Sequence, residues 1–260
     1  MAPDNVVQVG DGFWNLRGSL RIRGIVDIGT QSSLVRRKSG SYVFLDACEI
    51  DDRTRRWVDE QTNRGEAIEA VIHLHPFHTL FVRRLHELYP GAKLYGTARH
   101  HRRDSDLPWQ KEKTEDAALH ELFKEDFEFS IPRGVDFIPS NENLHFSSVL
   151  AFHRASRTLH VDDTLNYLRL PKLLRPLKQD LFLFHPSLSG VLERRAGAAR
   201  DFRDWVAELV ERSHSIDNLC TAHASALLAR HNNGSTIRAR IEDAARRLER
   251  KLTAHEARYR

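Results

Sequence analysis

The chain has 260 residues, 40% of them hydrophobic, which is enough apolar material for a real core, and a single domain over residues 1–260 is expected. Its 40 basic and 36 acidic residues nearly cancel, so the charge does not indicate a nucleic-acid partner. With two cysteines, no leader-like N-terminus and no run of eighteen apolar residues, we expect neither a disulfide framework nor a membrane span, and a cytoplasmic location.

Short β-rich runs separated by glycines occupy the first fifty residues and predict a meander of antiparallel strands. These runs cover residues 6–9, 13–16, 22–28, 33–35 and 42–45. The hydrophobic period then changes and predicts, in order, a polar helix over 51–64, a buried strand over 70–74, a helix over 77–88 and a short strand over 93–95.

The later part of the chain contains a second β-rich block over 127–161, with hairpin-like strands over 144–153 and 158–161. It is preceded by a charged, irregular stretch over 99–113 and a helical segment over 115–124. The elements expected beyond it are a strand over 181–184, a helix over 198–212, a strand over 218–222 and a last helix with Ile237, Ile241, Leu248 and Leu252 on one stripe, whereas Leu168–Pro176 is ambiguous. Two β-rich blocks, each followed by helices, predict two sheets packed face to face with helices outside.

Three of the fifteen histidines lie in the segment IHLHPFH, residues 72–78, at the end of an apolar run. His73 and His75 are two residues apart at the end of a predicted strand, so their side chains should leave the same face and meet one ion. His78 follows a proline, at the start of the next predicted helix, and should point back from another direction. Neutral imidazoles so placed suit zinc, iron or a similar divalent metal, and the alternative is a set of unconnected surface or core histidines.

Three distant residues extend this pattern. His145 precedes the apolar strand 149–152, and His223 stands at the end of a short strand just ahead of small residues. Asp163 emerges from an apolar strand, where a carboxylate is costly to bury unless a cation or a hydrogen-bond donor meets it. Asp163 therefore has a physical reason to lie at a metal.

Taken in chain order, the pattern resembles the metallo-β-lactamase superfamily. It comprises Asp46 at a strand end, His73-x-His75-x-x-His78, His145, Asp163-Thr164 and His223. That family carries His-x-His-x-Asp-His, a histidine often found in Gly-His-Thr, a Gly-Asp-Thr aspartate and a late histidine. The resemblance implies a mixed α/β (α+β) fold, a four-layer αββα sandwich with metals in the cleft between its sheet edges.

The resemblance also implies a ligand set. One metal would be held by His73, His75 and His145, and a second by His78 and His223, with Asp163 bridging both. Asp46 would support the active-site loop rather than bind metal. Zinc is the expected ion, as one or two ions, with iron or manganese as alternatives.

The chain departs from the family pattern at three places. Phe77 occupies the position of the metal-binding aspartate, Asp162 stands where glycine usually precedes the bridging aspartate, and Leu144-His145-Phe146 replaces Gly-His-Thr. Phenylalanine cannot ligate a metal, so the second site is expected to be weakened, whereas the first keeps three histidines and Asp163.

Several neighbouring residues compete for a role or receive none. His185 also ends an apolar run and is the alternative to His223 as late ligand; His223 is preferred by analogy with the family's closing loop. His100 and His101 are expected to be solvated at the cleft rim. Asp162 is expected to be a solvent-side neighbour of Asp163, with a substitute acid as the alternative, and His160 is expected to face away from the core.

The resemblance implies a metal-dependent hydrolase in which a metal-activated water attacks a small-molecule ester, thioester, lactone, amide or phosphodiester, with His73 and Asp163 essential for catalysis. The alternative is a degenerate member of the same fold that binds or scaffolds without hydrolysis, which Phe77 and the altered loops motivate. Redox chemistry at an iron pair is a weaker third hypothesis. Substrate choice would depend on the loops over 99–113 and 168–190, and the residues in these loops do not indicate a particular substrate.

Overall fold

The structure is a computed structural model that describes residues 2–22, 26–169, 180–223, 226–232 and 234–260. The middle of the predicted strand over 22–28, most of the ambiguous segment Leu168–Pro176 with part of the proposed specificity loop over 168–190, and the small residues after His223 lie outside this range. None of the helices in the described range is long and apolar enough to cross a bilayer.

The described residues form strands and helices at the following bounds. The strands are Val6–Gly10 (β1), Phe13–Gly18 (β2), Arg21–Ile22 (β3), Val26–Asp27 (β4), Thr30–Arg36 (β5), Tyr42–Leu45 (β6), Ile68–Ile72 (β7), Lys93–Tyr95 (β8), Phe127–Ser130 (β9), Leu150–His153 (β10), Thr158–Val161 (β11), Leu165–Arg169 (β12), Asp180–Phe184 (β13), Asn218–Thr221 (β14) and Ala226–Leu227 (β15). The helices are Asp52–Gln61 (α1), Val82–Leu88 (α2), Ala98–Arg103 (α3), Ala117–Leu122 (α4), Leu188–Val191 (α5), Ala198–Arg212 (α6) and Ile237–Arg258 (α7).

The first sheet has the strand order β1-β2-β5-β6-β7-β8. Its first four strands pair antiparallel, as the glycine-punctuated runs predict. The last two pairings, β6 with β7 and β7 with β8, are parallel because a helix, α1 or α2, connects each pair. The change of hydrophobic period after residue 50 therefore marks the change from hairpins to strand-helix-strand units.

The second sheet has the order β15-β14-β11-β10-β9. Strands β9, β10 and β11 pair antiparallel, and β14 pairs parallel to β11 after the chain has passed through α6. Strands β12 and β13 form a separate hairpin before α6. Because β11 and β14 run in the same direction, the residues that follow them emerge at the same edge of this sheet.

Three apolar layers hold four layers of structure together, which confirms the predicted αββα sandwich. Between the sheets, Val43 and Ile72 of the first pack with Ala151 and Cys220 of the second. The outer side of the first sheet is covered by α1 and α2 through residues such as Trp57 and Leu85. Helices α6 and α7 cover the second sheet, and the predicted stripe of α7 is buried there.

Several local predictions differ from the structure. The single strand predicted over 22–28 contains parts of two short strands, β3 and β4, that pair antiparallel with each other, and the strand predicted over 70–74 is observed as Ile68–Ile72. The helix predicted over 77–88 begins at Val82, so His78 lies in a loop of tight turns, in which its N–H donates to the carbonyl of His75, rather than at a helix start. The strand predicted from 144 begins at Leu150. Part of the stretch predicted to be irregular forms α3, because Thr97 and His100 make reciprocal capping hydrogen bonds at its start.

Candidate metal centre

The candidate site is assembled from four chain segments, three that follow strands and one loop. The turn that carries His75 and His78 follows β7, Asp163 follows β11, and His223 follows β14. His145 lies in the loop ahead of β10. The parallel pairing of β11 with β14 brings Asp163 and His223 to one edge, and the turn after β7 reaches this edge from the facing sheet.

Four imidazoles surround the buried carboxylate of Asp163, whose side chain is 2% exposed. Its Oδ2 lies 3.5 Å from His75 Nε2, 3.4 Å from His78 Nε2 and 3.8 Å from His145 Nδ1. Its Oδ1 lies 3.1 Å from His223 Nε2. Four of the five histidines predicted from the sequence are therefore brought together with the predicted aspartate.

In two of these histidines, a hydrogen bond at the ring nitrogen that faces away from Asp163 determines whether the nitrogen that faces Asp163 carries a hydrogen or a lone pair. His145 Nε2 lies 2.8 Å from the carbonyl oxygen of Glu142, and His223 Nδ1 lies 2.9 Å from that of Gly29. A carbonyl only accepts, so these outer nitrogens carry the hydrogens, and in a neutral ring the inner nitrogen presents a lone pair toward Asp163. A lone pair facing a carboxylate is stable only with a proton or a cation between them, so this geometry suits a bound cation.

His75 and His78 have different surroundings. The N–H of Phe77 donates to His75 Nδ1 at 3.1 Å, so the hydrogen of a neutral His75 ring is on Nε2, which faces Asp163. His78 directs Nε2 to Asp163 and Nδ1 to Asp162 Oδ1, 3.6 Å away. A carboxylate at the second nitrogen of a metal-binding histidine is a common device for fixing its ring.

Burial and charge act in opposite directions on these groups. Burial lowers the pKa of His75 to about 3 and keeps that ring neutral. Burial alone would also lower the pKa of His78, but the carboxylates of Asp163 and Asp162 outweigh it and raise that pKa well above its usual value. Burial would raise the pKa of Asp163, but the neighbouring His78 and His223 hold it well below its usual range. Asp163 is therefore ionised.

His73 is buried next to this cluster but has other neighbours. Its ring stacks on His100 with the centroids 5.2 Å apart and meets the edge of Trp109 at 5.9 Å. Both its ring nitrogens lack a hydrogen-bond partner among the described residues. Strand β7 ends at Ile72, so the two-residue alternation that predicted a shared face for His73 and His75 does not extend to them.

The prediction of solvated histidines at the cleft rim is wrong for His100 and only partly met by His101. His100 is fully buried, and its Nδ1 accepts a hydrogen bond from the backbone N–H of Thr97. His101 is half-buried and stacks on Trp109 with the centroids 5.3 Å apart. The charged neighbours in the sequence suggested solvent, but the indole of Trp109 and the ring of His73 provide flat surfaces that these histidines cover.

His160 was expected to face away from the core, and the structure shows that it is fully buried. Its Nε2 lies 3.1 Å from Asp46 Oδ2, and its Nδ1 lies 2.9 Å from the hydroxyl of Ser33. The prediction that His160 and its neighbours lie on opposite faces of β11 is correct, since Leu159 and Val161 pack toward the outer helices. The opposite face of this strand meets the other sheet instead of water, which sequence alternation does not reveal.

Asp162 was expected to be on the solvent side of Asp163, but it is 1% exposed. Its Oδ1 accepts a hydrogen bond from Gln31 Nε2 at 3.2 Å, and Gln31 is oriented by Asn15, whose amide donates to Gln31 Oε1. Asp46, close by, accepts a 2.7 Å hydrogen bond from the N–H of Leu74 and so holds the loop between the first two histidines. The resemblance implied this supporting role for Asp46, whereas sequence reasoning missed Asn15 and Gln31 and the burial of Asp162 beneath the site.

The alternative late ligand, His185, makes a different set of contacts. Its Nδ1 lies 2.6 Å from the hydroxyl of Ser187, which donates to the carbonyl oxygen of His145 at 2.8 Å. His185 is therefore linked, through the hydroxyl of Ser187, to the backbone of the loop that carries His145. The late histidine in direct contact with Asp163 is His223.

A cavity of about 450 Å³ opens beside the cluster. Its lining is mainly apolar, with three of the histidines in its wall and one arginine. The lining residues include Leu20, Ile28, Phe77, Leu80, Phe81, Ala222, His78, His145, His223 and Arg103. Such a pocket can hold the apolar part of a small molecule against the imidazoles.

Solved structures with a similar fold include metallo-β-lactamases. DIM-1 metallo-β-lactamase superimposes with a TM-score of 0.59 at 13% identity over 95% of this chain and 99% of that chain. The metallo-β-lactamase of Erythrobacter litoralis gives 0.55 at 13% identity over 99% and 95%, and FIM-1 from Pseudomonas aeruginosa, in its mono-zinc form, gives 0.53 at 10% identity over 92% and 95%. No protein-family model and no curated protein matches the sequence. At these identities, the comparison establishes that the chain has the metallo-β-lactamase fold.

Proposed function

We propose that this protein is a metal-dependent hydrolase acting on a small-molecule substrate. The observation that carries the proposal is the convergence of four imidazoles on one buried carboxylate, Asp163, beside an apolar cavity. A cluster of titratable groups with strongly shifted pKa values in a cleft is a frequent property of functional sites.

Unpartnered polar atoms at the site fit a cation. Both ring nitrogens of His73, which is buried beside the cluster, lack a hydrogen-bond partner among the described residues, and buried polar atoms rarely remain so in native proteins. His75 Nε2 also lacks such a partner, but it binds a cation only after losing its hydrogen, because Nδ1 accepts the hydrogen bond from Phe77. The proposed ligands are His75, His78, His145, His223 and Asp163, with His73 as a sixth. Nitrogen and carboxylate donors in this combination suit zinc, with iron or manganese as alternatives.

The chemistry follows from what these groups hold in place. When bound, a divalent ion lowers the pKa of a water molecule and polarises the bond to be hydrolysed. Asp163 supplies the anionic charge of the centre, and Asp162 holds the ring of His78 through its second nitrogen. The apolar cavity wall orients the substrate and excludes bulk water, which strengthens charge interactions at the reacting atoms.

Metal content and turnover of the purified protein test the proposal together. We expect near-stoichiometric metal after purification without chelator, and hydrolysis of at least one member of an ester, thioester, lactone, amide and phosphodiester panel. Asp163→Ala and His78→Ala should remove metal and turnover, because each withdraws a donor from the centre. His231→Ala is the control, since His231 is exposed and outside the cluster.

Two results would contradict the hydrolase. If the protein carries metal but hydrolyses none of the substrate classes, it is a metal-binding module and not a hydrolase. Protein that carries no metal, with a melting temperature that chelator does not change, would leave the alternative of a binding or scaffold protein, which the loss of a carboxylate at Phe77 favours.

A further inference from the structure

Phe77, which stands where the family carries a metal-binding aspartate, contacts a proposed ligand directly. Its ring lies nearly parallel to that of His145, at an interplanar angle of 10° and a centroid distance of 5.0 Å. The guanidinium carbon of Arg99 lies 4.5 Å from the centroid of the same phenyl ring. We call Arg99, Phe77 and His145 the Phe77 stack.

Arg99 is anchored on both of the segments that the stack connects. Its Nη1 donates to the carbonyl oxygen of Pro76 at 3.1 Å. Its Nε and Nη2 donate to Glu142 Oε1 at 3.1 and 2.9 Å. The carbonyl of Glu142 in turn accepts the hydrogen bond from His145 Nε2. Arg99 thus ties the turn after β7 to the loop that carries His145.

His145 is the proposed ligand that most needs such support. Its side chain is 40% exposed, and it lies in a loop rather than at the end of a strand. An unsupported histidine there would sample several rotamers, and only a few would direct Nδ1 to Asp163. The stack restricts the ring plane, and the hydrogen bond to Glu142 selects which nitrogen faces inward.

We propose that Phe77 is a positioning residue that, held by Arg99, orients His145 toward the metal centre. This inference rests on the metal site of the proposed function but not on hydrolysis. The replacement of aspartate at this position removes a ligand and supplies a flat apolar surface for a neighbouring ligand. Residues that orient metal ligands typically change metal affinity by about 10- to 100-fold when they are removed.

The test is Zn²⁺ affinity, measured on the full chain by competition with a chromophoric chelator. Phe77→Leu keeps the bulk of an apolar side chain but cannot stack, so we expect affinity to fall about tenfold. Phe77→Tyr keeps the ring and should retain affinity within about twofold. Arg99→Met should weaken binding in the same direction as Phe77→Leu, because it removes the guanidinium that holds the ring.

The matched control is a second histidine–phenylalanine stack away from the site. His120 and Phe129 have ring centroids 4.8 Å apart at an interplanar angle of 20°. Phe129→Leu should leave Zn²⁺ affinity unchanged even if it lowers the melting temperature. The control therefore separates loss of a stack at the metal centre from general loss of stability.

A double-mutant cycle with His145→Ala decides whether Phe77 acts through His145. If it does, Phe77→Leu should have no further effect on affinity once the imidazole is gone. The absorption spectrum of Co²⁺-loaded protein reports the geometry of the metal ligands. This spectrum should change in Phe77→Leu and stay unchanged in Phe77→Tyr.

The positioning role would be overturned if Phe77→Leu bound Zn²⁺ as tightly as the unsubstituted protein, or if the losses of binding free energy in the double-mutant cycle were additive. Either result would leave the proposed function intact. Metal-loaded protein without hydrolysis would overturn the hydrolase and leave the positioning role intact. An unchanged protein that does not bind Zn²⁺ would overturn both.

Discussion

His153 illustrates how burial changes the chemistry of a single residue away from the candidate site. It packs against the rings of Phe13 and Phe127, and its Nδ1 lies 2.7 Å from the hydroxyl of Ser156. Burial lowers its pKa from 6.5 to about 4. The folded protein therefore holds this ring neutral at pH values where the unfolded chain would protonate it.

This difference predicts a pH dependence of stability. Between pH 6.5 and pH 4 the unfolded state binds the additional proton, so His153 contributes a loss of stability as pH falls through this window and none above it. The full effect is about 3 kcal/mol. His153→Gln, measured by urea unfolding at pH 4.5 and pH 7, should reduce the difference between the two pH values. An unchanged difference would contradict the prediction, since other buried histidines are common to both proteins.

At the scale of elements, helices were predicted best where one amphipathic stripe covers a sheet. The prediction for α6 matches the observed Ala198–Arg212, because its buried residues recur at helical spacing against the second sheet. The prediction for α2 was too long at its start. Residues 77–81 have apolar side chains at helical spacing, but their backbone forms the turns that place His78 at the site.

The start of α7 provides a test of local helix chemistry. The hydroxyl of Thr236 accepts a hydrogen bond from the N–H of Ala239, and so caps a helix of 22 residues. Thr236→Ala should lower the free energy of unfolding by about 1 kcal/mol, measured in urea. Thr253 is an exposed residue inside the same helix, away from its start, so Thr253→Ala should lower the free energy of unfolding less or not at all. Equal losses of unfolding free energy in the two variants would argue against the cap.

At the scale of the whole molecule, a buried polar contact joins the two sheets. Asp46, just after β6 of the first sheet, meets His160 on β11 of the second, and both side chains are buried. Arg17 on β2 makes a second link by donating to the carbonyl of Thr221 on β14. These contacts hold the sheet edges on which the candidate metal centre is built.

Breaking one side of this contact should be costly, because an unpaired carboxylate remains buried. We expect His160→Leu to lower the free energy of unfolding by about 3 kcal/mol. Adding Asp46→Asn should recover part of this loss, since the amide carries no charge and still accepts the hydrogen bond from Leu74. Denaturant unfolding of the two single variants and the double variant measures the coupling, and simple additivity would refute it.

Hydrophobic period and turn residues are local properties of the sequence, and they predicted two facing sheets with helices outside. The order of motifs along the chain, through the resemblance to a family, named His73, His75, His78, His145, Asp163 and His223 as a set. Only the tertiary structure decided the surroundings of His73, the burial of Asp162 and His160, and the stacking of Phe77 on His145. Alternation along a strand separates two faces but does not tell which face meets water, and β11 is buried on both. Contacts between loops depend on how two sheets align, and that alignment is set by packing across the whole molecule.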